Sequence, residues 1–489
     1  MSDQVPIRNV PSGVPGLDDI LGGGFPELSF NLIAGGPGCG KTTLGQQILF
    51  ANATSERRGI FFSVIGEPPI KMLRYQQQFS FFEPDKINDA VRFVHLGEEA
   101  MAGGLATVLE RIIEEVDRTN PSIVVVDSFR AVVRRVLAMG PLGERDLQGA
   151  VQRLALHLTS CEATTFLLGE YDDGEHDSTL FTVADGMVWL YQSVERNSVV
   201  RKLRVMKMRG QGQIPGLHTV RISKDGFAAF PRLLKPEERL ETADGSRVTT
   251  GVVGLDEMLA GGIPSGHSVL IAGPSGSGKT VLANQFILEG ARRGEPGIIA
   301  VFEKRPNDYL QTSPHGAEFK RLISDGKVKV IYLRPLDLSI DETLLALREA
   351  VQRIGAKRAV IDSLSGLELA LAPTFREDFR ESLYRMMGAL TGLGTTVLAT
   401  VELEDSFTHL RFSPQGIAFL TDTIIMQRYV EIDSQLRRAL AVVKVRGSAH
   451  SKDLREYTIN DDGLVVVGAP LTGYDGILTG SAVRRAPPE

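Results

Sequence analysis

The chain of 489 residues contains only two cysteines, Cys39 and Cys161. That is too few for a disulfide framework or a zinc cluster. No apolar run reaches membrane-spanning length, which excludes a transmembrane helix. The opening Met1-Ser-Asp-Gln-Val-Pro lacks the basic and apolar regions of a signal peptide, so the expected location is the cytoplasm. A strong charge of either sign is also missing: the net charge of −6 argues against a protein that coats nucleic acid by bulk electrostatics, although a local basic channel would escape this measure. What remains, 43% hydrophobic and 23% charged, is the composition of an ordinary soluble globular protein.

Glycine, by contrast, is concentrated where it carries chemistry. Gly35-Gly-Pro-Gly-Cys-Gly-Lys41-Thr42 follows the apolar Phe30-Asn-Leu-Ile-Ala34 and precedes Thr43-Leu-Gly-Gln-Gln-Ile-Leu-Phe50. Strand, glycine loop and helix in that order is the context of a phosphate-binding P-loop. The glycines let backbone N–H groups turn inward around phosphate, the helix N-terminus adds partial positive charge, Lys41 reaches the β- and γ-phosphates, and the Thr42 hydroxyl can ligate Mg²⁺. The motif recurs as Gly273-Pro-Ser-Gly-Ser-Gly-Lys279-Thr280, between Ser268-Val-Leu-Ile-Ala272 and Val281-Leu-Ala-Asn-Gln-Phe-Ile-Leu288. A protein working on ATP belongs in a reducing compartment, and Cys39, at a variable loop position, reads as a small filler.

The repetition extends over the whole chain. Gly13-Val-Pro-Gly-Leu-Asp-Asp-Ile-Leu-Gly-Gly-Gly-Phe-Pro26 returns as Gly251-Val-Val-Gly-Leu-Asp-Glu-Met-Leu-Ala-Gly-Gly-Ile-Pro264, at the same offset that separates Lys41 from Lys279. Two tandem copies of one domain are expected, at 1–232 and 249–470, with a charged linker at 233–248 and a tail at 471–489. In each copy, short β-rich runs (59–64, 123–126, 164–168, 187–191) alternate with helix-length amphipathic stretches such as 105–117 and 146–160, which implies βαβ units. Closely spaced strands then follow (187–192, 199–208, 218–223), suggesting an antiparallel extension. The expected class is α/β: two tandem RecA-like P-loop NTPase domains, each a mainly parallel twisted sheet with helices on both faces.

Three further signals recur in both copies. An apolar strand ends in Asp127 or Asp362, the place of a carboxylate that holds Mg²⁺. About 25 residues past each P-loop lysine, Glu67 and Glu303 stand at a strand tip, where a carboxylate can orient and deprotonate water. Finally, Arg201…Lys207-Met208-Arg209-Gly210 matches Arg438…Lys444-Val445-Arg446-Gly447. Alternation on a strand predicts that these basic residues share one face. A basic set far from its own P-loop has the form of a finger offered to a neighbouring subunit's phosphates.

These residues together resemble the KaiC family, over roughly residues 6–465. The resemblance implies ATP and Mg²⁺ bound at the subunit interfaces of a homohexamer of two stacked rings, with slow hydrolysis in the first domain and, in clock members, autokinase activity in the second. By position it assigns Gly38, Cys39, Gly40, Lys41 and Thr42 to ATP in the first site, with Lys207, Met208 and Arg209 from the adjacent subunit. In the second site it assigns Gly276, Ser277, Gly278, Lys279 and Thr280, joined in trans by Arg438, Lys444, Val445, Arg446, Ser448 and His450. The metal set is Thr42 and Asp127, then Thr280, Glu303 and Asp362; Glu67 and Glu303 are the catalytic candidates. A KaiB-like or histidine-kinase signalling partner is implied, with no membrane and no nucleic acid.

The chain departs from the family at three places. Only the second of two successive glutamates is kept in the first domain (Gly66-Glu67) and only the first in the second (Glu303-Lys304). Ala418-Phe419 stands where clock members carry a Ser-Thr acceptor pair, so a phosphorylation cycle is not expected. The tail is a short Arg/Pro segment, Ser481-Ala-Val-Arg-Arg-Ala-Pro-Pro-Glu489, unlike one that recruits a clock-type activator. Two other readings of the same core are a RecA/RadA-like recombination or repair motor, and an ATP-glued scaffold with little turnover. The first would need a basic DNA loop, and the densest basic stretch, 195–204, already belongs to the expected interface.

Overall fold

The computed structural model describes residues 7–64, 69–102, 104–130, 133, 141–171, 178–195, 198–232, 245–333, 338–371, 373–376, 379–403, 419–477 and 483–484. The chain divides into two compact units, Met1–Arg232 and Leu233–Glu489.

The first unit is built on a nine-stranded sheet. Its strands are β1 (Phe30–Gly35), β2 (Gly59–Ser63), β3 (Val91–His95), β4 (Ile123–Asp127), β5 (Thr164–Glu170), β6 (Gly186–Glu195), β7 (Ser198–Met208), β8 (His218–Ser223) and β9 (Gly226–Phe230). They lie in the order β9-β8-β7-β6-β1-β5-β4-β2-β3. The six strands from β6 to β3 are parallel, and β7, β8 and β9 extend the sheet antiparallel. The edge strands β3 and β9 were not foreseen, because Val91–His95 and Gly226–Phe230 are short and alternate weakly.

Period-two alternation sorts each parallel strand between two cores. In β1, Phe30, Leu32 and Ala34 face the helices α2 (Gly104–Thr119) and α3 (Pro141–Ser160), through Val108, Ile112, Leu154 and Leu158. Ile33 faces the opposite side, against Leu44, Ile48 and Leu49 of α1 (Lys41–Asn52), the helix that the P-loop opens. Helices on both faces bury the sheet twice, as a parallel sheet requires.

The second unit repeats this plan: β10 (Ser268–Gly273), β11 (Gly297–Val301), β12 (Val328–Tyr332), β13 (Arg358–Asp362), β14 (Thr396–Glu402), β15 (Thr423–Ile432), β16 (Gln435–Val445), β17 (Arg455–Ile459) and β18 (Val465–Pro470). The order is β12-β11-β13-β14-β10-β15-β16-β17-β18. Helix α4 (Lys279–Arg292) packs Leu282 and Phe286 on one face, while α5 (Ile340–Ile354) and α6 (Phe379–Gly392) pack Leu344 and Met386 on the other. Arg247–Val248, in the expected linker, pairs antiparallel with Ile263–Pro264. In the expected tail, Tyr474–Asp475 pairs with Val483–Arg484.

The repeated opening motif is structural. Asp18 accepts the Ser12 amide at 2.8 Å and Asp256 accepts the Thr250 amide at 2.8 Å, closing the same turn in each copy. Gly24 sits at φ 114, where an added Cβ would meet the Val10 carbonyl oxygen at 2.5 Å, so the chain can pass only as glycine.

One expectation about the antiparallel strands is corrected. The register of β6 with β7 shifts between Met187 and Val188: Met187 pairs with Lys207 but Val188 with Val205, leaving Met206 as an extra residue. The same bulge occurs in the second unit, where Ile424 pairs with Lys444 and Ile425 with Val442. An extra residue inverts the alternation beyond it. Lys207 therefore faces the side of Met187, which belongs to the core of α2 and α3, whereas Arg201 shares the α1 face with Leu203 and Val205. Lys444 and Arg438 are separated in the same way. The leading arginine and the Lys-x-Arg pair lie on opposite faces, not on one.

Candidate nucleotide sites

Each P-loop runs from the carboxyl end of its sheet's central strand into a helix. Gly38 and Gly40 take φ values of 76° and 98°, and Gly276 and Gly278 take 75° and 96°. At Gly40 a side chain would also strike Ile222, whose Cδ1 lies 2.3 Å from an ideal Cβ. The left-handed turns aim the loop amides inward. Lys41 is buried and donates to the carbonyl oxygens of Gly35 at 3.0 Å and Gly36 at 2.7 Å; Lys279 repeats this with Gly273 at 2.8 Å and Pro274 at 2.7 Å. Burial lowers the pKa of both ammonium groups; the largest opposing influence is Glu170 for Lys41 and Glu402 for Lys279.

Glu170 and Glu402 escaped the sequence reading. They end the equivalent strands β5 and β14, beside the P-loop strand, and their charge bears on the equivalent lysine in each unit. Their signal was available: both copies carry a strand that ends in Glu.

The carboxylate and hydroxyl partners differ between the units. In the first, the Thr42 hydroxyl donates to Asp127 Oδ2 at 2.6 Å. In the second, Asp362 Oδ1 accepts from Thr400 Oγ1 at 2.6 Å, while Thr280 is exposed in the cleft. The reason is one residue: Leu168 occupies the place of Thr400 in the first unit and has no hydroxyl to offer. These oxygen donors suit a hard ion such as Mg²⁺. Burial raises the Asp127 pKa above its ordinary value, against the lowering effects of the Thr42 hydrogen bond and Lys41.

The second site opens into a cleft of about 450 Å³ lined by Gly276, Lys279, Thr280, Glu303, Asp362 and Glu402 among others, within the size range of ligand pockets. Glu303 Oε1 accepts from Ser363 Oγ at 3.2 Å, which fixes it toward Asp362. Glu67, with residues 65–68, lies outside the described residues, as do Ser413 and Ala418; Phe419 is described and 63% exposed. Cys39 is buried, with its thiol pKa raised chiefly by that burial, in keeping with a filler. At the equivalent position the Ser277 hydroxyl bonds Gln427 at 3.1 Å.

The basic residues separate as the bulge dictates. Arg201 Nε donates to Gly38 O, in its own P-loop, at 3.4 Å. Arg438 lies over the Tyr429 ring at 5.8 Å, and an ideal Cβ on Gly276 would stand 3.0 Å from the Tyr429 hydroxyl. Arg438 thus sits beside the loop of its own domain, away from the other residues grouped with it. Lys207, Arg209, Lys444 and Arg446 lie at the other end of their sheets, by the amino ends of the parallel strands. Lys207 Nζ donates to Ala184 O at 2.6 Å and Arg209 to Asp185 Oδ1 at 2.9 Å; Lys444 and Arg446 do the same with Thr421 O at 2.7 Å and Asp422 Oδ1 at 3.1 Å. Both arginine side chains remain 58% exposed. Burial, then the adjacent arginine, lowers the pKa of Lys207 and Lys444. The side chains of Met208 and Val445 pack against the core. Ser448 bonds the Arg247 guanidinium, and His450 is half-buried beyond it.

Two mainly parallel sheets, each with a glycine loop, a loop lysine bonded to two of its own loop's carbonyls and a carboxylate at the tip of a neighbouring strand, define a tandem P-loop NTPase of RecA-like fold. A family model described as an ATPase, KaiC, matches residues 10–233 and again 248–470, and the chain belongs to that family. It is 28% identical over 488 residues to the circadian clock oscillator protein KaiC of Picosynechococcus sp., covering 98% of this chain and 93% of that protein. It is 26% identical over 501 residues to the circadian clock protein KaiC3 of Synechocystis sp., covering 99% and 96%. Among the described residues no helix is long and apolar enough to cross a membrane.

The Asp127 shift has a testable consequence. A carboxyl whose folded pKa is raised contributes most to stability below its ordinary value and loses that contribution as pH rises through the raised one. Asp127→Asn is therefore expected to raise the melting temperature of the nucleotide-free protein at neutral pH, to flatten its rise on acidification, and to shrink the increment that Mg-ATP adds. Differential scanning calorimetry between pH 4 and 8 checks all three; an unchanged Mg-ATP increment would mean that Asp127 takes no part in binding Mg-ATP.

Proposed function

We propose that this protein is a cytoplasmic Mg-ATP-dependent ATPase, whose nucleotides sit between the subunits of a homohexameric double ring and couple their state to a signalling or clock-type partner, KaiB-like or a histidine kinase. The observation that carries this reading is the distance between complementary halves of one site. Each domain offers its P-loop at the carboxyl ends of the parallel strands and an exposed Arg209 or Arg446 at the opposite end, so a ring of like domains can bring the arginine of one to the phosphates of the next.

In this mechanism the loop amides and Lys41 or Lys279 bind the β- and γ-phosphates. Mg²⁺, held through Thr42 and Asp127 or through Thr280, Asp362 and Glu303, would neutralise phosphate charge. Binding phosphate frees the lysine from its carbonyl partners. Lys207 and Arg209, or Lys444 and Arg446, approach from the neighbour, with Ser448 and His450 near the second nucleotide. Water attacks the γ-phosphorus, its proton passes to Glu67, and ADP departs with the broken P–O bond. Glu303 is the corresponding base in the second ring.

Nucleotide bound at an interface stabilises the oligomer by mass action. Native mass spectrometry is expected to find hexamers in Mg-ATP and smaller species without it; a monomer in saturating Mg-ATP would overturn the ring.

Glu67 carries most of the turnover in this reading, because Lys304 follows Glu303 in the second site. Glu67→Gln keeps the shape and removes the base, and is expected to lower steady-state phosphate release by about 10²- to 10⁴-fold. The opposite pattern, with Glu303→Gln abolishing turnover and Glu67→Gln sparing it, would move the chemistry to the second ring.

Autophosphorylation is not expected. Ala418 and Phe419 have no hydroxyl, and Thr421 and Thr423 are both buried at the start of β15, where Asp422 is bound to Ser268 and Arg446. Intact-mass spectrometry after hours in Mg-ATP should find an unmodified chain; a major +80 Da species lost in Ser413→Ala, Thr421→Ala or Thr423→Ala would establish a kinase with a relocated acceptor.

A further inference from the structure

Away from both nucleotide clefts, Asp117 near the carboxyl end of α2 meets His157 and Cys161 at the carboxyl end of α3. His157 Nε2 lies 2.8 Å from Asp117 Oδ1, Cys161 Sγ lies 3.7 Å from the same oxygen and 3.7 Å from the same nitrogen, and one ligand atom from each residue falls within 4.8 Å of the others. We propose that Asp117, His157 and Cys161 form a three-ligand site for a borderline-soft divalent cation, zinc foremost.

Geometry decides between this and the other chemistry that Cys, His and Asp perform. A nucleophilic triad uses the two ring nitrogens separately, one toward the thiol and one toward the carboxylate. Here a single nitrogen, Nε2, faces both partners, so no proton relay can run through the ring. Three lone-pair atoms turned toward one point are instead a chelate. In a tetrahedral zinc site, bonds of about 2.0 to 2.3 Å put ligand atoms roughly 3.3 to 3.7 Å apart. The two sulfur distances already fall there, and the His–Asp pair needs to open by only about half an ångström.

Charge and context agree. Both helices end here, and their last carbonyl groups favour a cation. His157 and Cys161 are one helical turn apart on a single face, a spacing suited to sharing one ion. With His157 33% and Asp117 53% exposed, an outer position stays open to water.

The second unit supplies an internal comparison. On the same helices the equivalent positions hold Gln352, Ala389 and Leu393, with Ala389 buried in the core and Leu393 packed against it. The fold itself therefore needs no polar cluster at this corner. Zinc at the site would take the place of the Cys161 thiol proton, which is released, and would fasten α2 to α3.

The test uses the full-length protein in Mg-ATP with Zn²⁺ and Co²⁺ as probes. One Co²⁺ per chain should give a thiolate-to-cobalt charge-transfer band that Zn²⁺ displaces and excess Mg²⁺ does not. Cobalt exchanged into the oxygen-only nucleotide sites gives no such band, so failure here is distinct from failure of the ATPase reading. Cys161→Ser should abolish the band, and His157→Ala should weaken zinc binding by at least about 10- to 100-fold, with unchanged circular dichroism and hexamer assembly in both. In the unsubstituted protein, zinc should slow alkylation of Cys161 by iodoacetamide, read by peptide mass spectrometry, a measurement that does not depend on the variants folding. No band, a band surviving Cys161→Ser, or alkylation indifferent to zinc would leave a hydrogen-bonded cluster only and overturn the proposal.

Discussion

Two loop ammonium groups, Lys41 buried and Lys279 half-buried in its cleft, set the terms for the rest of this molecule. Lys41 and Lys279 are shielded by the loops that contain them, each satisfied by two backbone carbonyls. Desolvating a cation is costly, and the cost is tolerable only where the surrounding chain supplies oxygen atoms at fixed positions. Rigid loops need the central parallel strand behind them and the helix in front, which in turn need a core on each face of the sheet. The carboxylates at the neighbouring strand tips, Glu170 and Asp127 in one unit and Glu402 and Asp362 in the other, sit where they temper the same charge. A phosphate chain that displaces the carbonyls finds a lysine already partly desolvated.

The two units show how far a shared frame can drift while its site keeps the same plan. Strand order, loop torsions and the anchoring of Arg209 on Asp185 and Arg446 on Asp422 are common to both. What changed are single side chains. Thr400 donates to Asp362 in the second unit, whereas Leu168 leaves Asp127 to Thr42. Ser277 is tied to Gln427, while Cys39 in its place lies in a hydrocarbon core. Duplicated sites can thus acquire different hydrogen-bond partners for the same carboxylate while strand order and loop torsions stay the same.

Much of this was legible in the residues. The P-loops, the strands ending in Asp127 and Asp362 and the antiparallel extension follow from local pattern, because glycine torsions and period-two burial act over a few residues. Hidden were features set by pairing between distant segments. No run of residues betrays the bulges at Met206 and Val443, since a bulge is a property of two strands, and so Arg201 was placed with Lys207 and Arg438 with Lys444. Glu170 and Glu402 were visible only by comparing the copies for strand tips rather than for known motifs. The Asp117, His157 and Cys161 corner draws on two helices separated by a strand, and a single cysteine beside a histidine in the sequence carries no sign of the aspartate 40 residues upstream that completes it.

The bulge in β7 also limits how this strand can change over generations. It carries Arg201 to its own loop on one face and Lys207 to the far end on the other, and the half-turn between them is stored in a single surplus residue. Deleting the surplus Met206 would leave a regular strand with the two side chains still on opposite faces, whereas deleting a residue while the bulge stays would bring both to one face and send one of them into a hydrophobic layer. A single deletion there is tolerable only where it takes the bulge with it, so the opposition of arginine and lysine, rather than their separation along the chain, should hold steady even where the intervening residues vary freely.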